Sequence, residues 1–98
     1  MKKVIIVFED DYKDCDIISV PDFVADQSEK FCQMFFNWLE CEDLPDEYYV
    51  FINGKKCINA ETYGLVNWLN KNICPQNEPA YIVEQHTSFT YGYPIMEF

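Results

Sequence analysis

Apolar and polar positions along this chain follow two rhythms, and the boundaries between them define its elements. Lys3–Phe8 is a short run of β-branched and apolar residues. It is too brief for a helix and predicts a central strand covered on both faces. Ile17-Ile18-Ser19-Val20 predicts a second short strand or an extended approach to a helix. Tyr48-Tyr49-Val50-Phe51-Ile52 and Lys55-Lys56-Cys57-Ile58 flank Asn53-Gly54. That pair takes up the two positive-φ positions of a type I′ hairpin turn more readily than almost any other. Ala80–Gln85 reads as a further strand and the alternating Thr87–Tyr91 as the last one, with Gly92-Tyr93-Pro94 turning the tail away.

The helical rhythm occurs twice. Pro21-Asp22 opens the first helix, Pro suiting a first turn and an acid favouring the positive end of the helix dipole. Val24, Gln27, Ser28, Phe31, Phe35, Trp38 and Leu39 form its inner stripe, widened by Phe23, Met34 and Cys32, and Phe36 falls nearer the polar face. This helix should end between Glu40 and Asp43, before Leu44-Pro45. Asn59 is the expected N-cap of the second helix, which continues to about Ile73. Thr62, Leu65, Val66, Leu69 and Ile73 line one stripe there, and Gly64 leaves room for another element to approach closely. The expected fold is α/β, with α+β as its variant. It comprises a single-layer mixed sheet of four to six strands and two helices on one side, in the order β-(β)-α-β-β-α-β-β. The hairpin and second helix, residues 48–73, read as the organising unit.

Ninety-eight residues make a single globular domain, 1–98, with 49% hydrophobic residues and one core. No apolar run approaches the roughly 20 residues of a membrane span. Met1-Lys2-Lys3 and the apolar residues after it resemble the start of a signal peptide, but the run meets Glu9-Asp10-Asp11 with no cleavage pattern. The expectation is a cytoplasmic protein. Five cysteines, at 15, 32, 41, 57 and 74, form no C-x-x-C pair. They read as small hydrophobes in a reducing compartment rather than as a disulfide framework or zinc site.

The search for chemistry yields little. His86 is the sole histidine, and its expected role is that of a strand or turn residue without catalytic function. Counted from Asp10, an EF-hand would need Gly at the sixth place and Glu at the twelfth, where this chain has Cys15 and Pro21. Gly54, Gly64 and Gly92 build no phosphate-binding loop. The chain is therefore expected to be no enzyme and to need no metal or cofactor.

Charge changes the picture. The net charge is −10, from 17 acids and 7 lysines. That disfavours nucleic acid, which needs cations to replace phosphate counterions, and anionic membranes alike. Thirteen acids and four lysines lie within residues 1–50, so −9 of the charge sits in the first half. Two clusters hold most of it. Glu9, Asp10, Asp11, Asp14 and Asp16 follow the first strand, and Glu40, Glu42, Asp43, Asp46 and Glu47 follow the first helix. A helix C-terminus is partially negative, and each exposed acid beside it costs about 0.3–1 kcal/mol. Residues set against folding preference point to a demand from a partner, and a cationic protein meets it most simply. Phe36, Tyr12, Tyr48 and Tyr49 lie near these acids, as the aromatic anchors such a surface needs or else as core and sheet residues.

The apolar first strand running into Glu9-Asp10-Asp11 carries a family resemblance. So does Ile52-Asn53-Gly54-Lys55-Lys56-Cys57 leading to Val66-Asn67-Trp68-Leu69-Asn70-Lys71. Together they look like small acidic immunity proteins of bacterial polymorphic-toxin and contact-dependent inhibition systems. The resemblance implies a protein that binds one toxin domain, often a basic nuclease, and blocks it. The alternatives are a phage-type DNA mimic such as an anti-CRISPR protein, or a small acidic interaction domain.

Overall fold

Strands β1 (Lys2–Val7) and β2 (Cys15–Val20) form the antiparallel centre of a four-stranded sheet, paired Val4 to Ile18 and Ile5 to Ile17. The computed structural model describes residues 1–40, 44–45, 48–58 and 61–98, Ile58 through its backbone alone. Val4, Ile5, Ile6 and Val7 are all fully buried. Successive residues of a strand point to opposite faces, so only a strand covered on both sides shows this pattern. Val4, Ile6, Ile18 and Val20 face the main core, and Ile5, Val7, Cys15 and Ile17 face a smaller cluster closed by Phe89, Tyr93 and Ile95.

The sheet order is β5-β2-β1-β6, with β5 at Tyr81–Thr87 and β6 at Ile95–Glu97. β5 runs antiparallel to β2 with irregular register between Cys15 and Ile18, and β6 runs parallel to β1. The expected strand at Thr87–Tyr91 does not form beyond Thr87. Instead Phe89 packs over the second face, and the tail returns after Gly92, whose φ of 99° reverses the chain. The tail is thus paired with β1, not turned away. Its last residue, Phe98, exchanges backbone hydrogen bonds with Val7 and Glu9.

The first helix is two segments, α1 (Asp22–Asp26) and α2 (Ser28–Leu39). The single helix expected from periodicity breaks at Gln27, with φ −123° and ψ 37°. The Gln27 N–H bonds Val24 O, three residues back, and its carbonyl accepts from Phe31 N–H to restart the ladder. Phe31, Cys32, Phe35 and Leu39 are buried as the stripe requires, whereas Phe23 and Met34 are exposed. Phe36 is half-buried rather than on the polar face, its ring 5.0 Å from that of Phe98. The terminal residue supplies a second apolar surface that helical periodicity cannot register.

α3 (Thr62–Asn72) packs Leu65, Val66, Trp68 and Leu69 into the main core. It begins at Thr62 with Glu61 in the N-cap position, and the expected cap Asn59 lies outside the described residues. The Tyr48 hydroxyl donates to the Gly64 carbonyl at 3.3 Å. β3 (Tyr49–Ile52) and β4 (Lys55–Ile58) form the expected hairpin, with Asn53 at φ 52° and Gly54 at φ 78°. Among the described residues that hairpin is a separate two-stranded sheet, paired only with itself. Of the unit expected to organise the chain, α3 is central and the hairpin peripheral. Periodicity specified the two hairpin strands, but not which strands share a sheet with them.

Candidate functional site

The turn after β1 sets the site. Glu9 and Asp10 both adopt left-handed backbone, with φ of 52° and 58°. Such residues are uncommon outside Gly and Asn and mark an over-determined turn. Here Glu9 N–H bonds Phe98 O at 2.8 Å and Asp11 N–H bonds Phe8 O at 3.0 Å. Asp11 Oδ1 accepts from Lys13 N–H at 3.1 Å, and Tyr12 is fixed through its hydroxyl to Glu97 and its carbonyl to Phe89 N–H. The acidic segment is thus a held loop.

That loop forms one wall of an open cleft of about 900 Å³. Glu9, Asp11, Asp14 and Asp16 line it together with Glu61 from the start of α3. Phe8, Phe36 and Phe98 supply its apolar surface, with Phe98 stacked on Phe8 at 5.4 Å between ring centres. The third side brings Thr62 and Tyr63 from α3 and Gln85 and His86 from β5.

Carboxylates gathered in this way repel one another, and three local features offset the cost. Asp16 is anchored twice: Thr62 Oγ1 donates to its Oδ2, and His86 N–H donates to its Oδ1 at 3.1 Å. His86 reaches that position because its φ of 55° bends β5 where β2 and β5 fall out of regular register. The His86 ring nitrogen Nδ1 meets Asp14 Oδ1 at 2.7 Å. This contact, the Asp14 charge and then Asp16 hold the imidazolium above its ordinary range. Finally, the N-terminus of α3 presents its positive dipole end to Asp16.

No family model, no curated protein and no solved structure matches the chain. The site is therefore read from its own chemistry. Among the described residues no group of three or more His, Cys, Asp and Glu side chains is arranged to hold a metal ion. Cys15, beside the acidic loop, is buried, with Sγ 3.6 Å from Asp11 O. Burial and then the charges of Asp11, Asp14 and Asp16 push its thiol up. An activated cysteine needs the reverse, an electropositive and accessible setting. The cleft is suited to binding a cation against an aromatic surface, not to making a nucleophile.

The sequence-predicted residues divide into three groups. Glu9, Asp11, Asp14, Asp16 and Phe36 come together in the cleft. Asp10 lies exposed at the tip of the same turn, and Glu40 lies exposed at the C-cap of α2, one turn beyond Phe36. Glu42, Asp43, Asp46 and Glu47 lie outside the described residues. Sequence reasoning missed Phe8, Glu61, Thr62, Tyr63, Gln85, His86 and Phe98. A lone acid at a helix start and a histidine in a strand carry no signal by themselves. Their role follows from the pairing of β2 with β5.

Proposed function

We propose that this protein is an immunity-type inhibitor that binds a cationic toxin domain, a basic nuclease in the leading reading, and occludes its nucleic-acid-binding surface. The observation that carries the reading is the cleft, where a rigid acidic turn stands over Phe8, Phe36 and Phe98. A lysine or arginine of the partner entering it would meet carboxylates at its head and aromatic rings along its stem. The same side chains on a nuclease hold phosphates, so pairing them with carboxylates removes the substrate site. The net charge of −10 supports steering of such a partner toward the cleft.

The test is inhibition of nucleic-acid cleavage by a panel of basic nuclease toxin domains, with association rates measured across a salt series. Inhibition at one-to-one stoichiometry, with an on-rate falling steeply as salt rises, is expected for at least one. Reversing Glu9 and Asp11 to lysine should weaken binding by several kcal/mol. Reversing Glu42, Asp43, Asp46 and Glu47 measures the share carried by the second acidic segment. No inhibition across the panel, or full affinity after both reversals, refutes the proposal.

A further inference from the structure

The β3–β4 hairpin is the complement of the cleft in charge. Residues 48–58 carry Lys55 and Lys56 and no acid, in a chain that is otherwise strongly acidic. Tyr48, at its base, is buried in the core. Beyond it, among the described residues, the two strands pair with each other alone, and Phe51 and Ile52 are 74% and 56% exposed. Antiparallel partners share a face, so the register places Phe51 beside Lys56 and Ile52 beside Lys55. Lys56 Nζ already lies 4.0 Å from the centre of the Tyr49 ring, on the same face as Phe51. The hairpin therefore presents Phe51 beside Lys56 on one face and Ile52 beside Lys55 on the other. A two-stranded hairpin with no sheet to join is marginal in water, and apolar residues this exposed are costly unless something covers them.

We infer that the occupant of the cleft, when no other partner is present, is the hairpin of a second copy of this chain. Phe51 seats against Phe36 and Phe98, Lys56 on the same face turns to Glu9 and Asp11, and Lys55 on the other face adds its charge at the rim. Charge complementarity selects the second copy, because this chain's own surface supplies the acids that a basic finger needs. Two copies exchanging hairpins about a two-fold axis double the contact and close the assembly. The dimer then masks the cleft, so a cationic partner would have to displace the hairpin to bind. This inference stands on the geometry of hairpin and cleft and does not need the partner to be a toxin.

Light scattering coupled to gel filtration, over a series reaching the high micromolar range, tests it on the intact protein. The expected result is a dimer that dissociates on dilution and in high salt. Phe51→Ala should weaken dimerisation roughly a thousandfold, the effect of losing one central anchor in each of the two exchanged hairpins. A charge exchange separates lost contact from lost fold. The K55E/K56E and E9K/D11K variants should each be monomeric alone, and mixing them should restore a heterodimer. A monomer at every concentration, an open polymer, or a mixture that stays monomeric while both variants keep native circular dichroism overturns the inference. Nuclease inhibition by monomeric K55E/K56E would uphold the proposed function on its own, so the two can fail separately.

Discussion

Replacing Asp16 tests whether a residue that looks like part of an acidic binding surface is instead structural. Asp16 joins three elements: it belongs to β2, accepts from Thr62 at the start of α3, and accepts from the His86 backbone in β5. Thr62 is 2% exposed, so Asp16→Ala strands its hydroxyl in the interior. A hydrogen bond to a charged group contributes about 1.5–3 kcal/mol, and the solvent-accessible contact with His86 adds roughly 0.5–1 kcal/mol. The expected loss is about 2–4 kcal/mol, or a fall in Tm of roughly 10–25 °C for a domain of this size. Urea and thermal unfolding followed by circular dichroism measure it. Thr62→Val removes the other partner with little change of shape, and the double mutant should show a coupling energy of roughly 1–2 kcal/mol. Asp16→Asn, which keeps an acceptor and loses the charge, should fall between wild type and alanine. A D16A protein within about 0.5 kcal/mol of wild type, the range of ordinary surface changes, would refute the structural role. Asp16 would then return to the binding surface.

Three further outcomes follow from the same geometry. Asp14 holds the sole histidine protonated to higher pH than usual, so the single imidazole resonance should titrate above about pH 6.5 and return toward it in Asp14→Asn; because the folded value is raised, the pair's contribution is full below the ordinary histidine range and lost as pH rises through the folded value, and equal titration in both proteins would count against the contact. Phe35→Ala should cost about 3–5 kcal/mol in urea unfolding, since its fully buried ring lies against Trp38, Trp68 and Phe98, whereas Phe51→Ala should change stability by no more than about 0.5 kcal/mol. Cys15 and Cys32 are buried with their thiols pushed up, so, among the described cysteines, site-resolved alkylation should modify Cys57 before those two and reach them only on unfolding.

Local pattern alone determined much of this protein. The apolar run at Lys3–Phe8 named a strand covered on both faces, and Asn53-Gly54 named the turn between β3 and β4, because each depends on near neighbours in the chain and their φ preferences. The charge distribution marked the acidic segment that lines the cleft. What sequence could not specify were pairings between distant segments. Sheet membership depends on which edges meet, so the hairpin stands apart while Ile95–Glu97, a segment with no strand pattern to notice, completes the sheet beside β1. The break at Gln27 was equally hidden, since the apolar rhythm passes through it uninterrupted. The site was legible by half for the same reason. Glu9, Asp11, Asp14 and Asp16 are neighbours in the chain, but Glu61, His86 and Phe98 reach them only because α3, β5 and the returning tail pack around one turn. Sequence located the charge, and tertiary pairing supplied the aromatic wall and the anchors that make it a cleft.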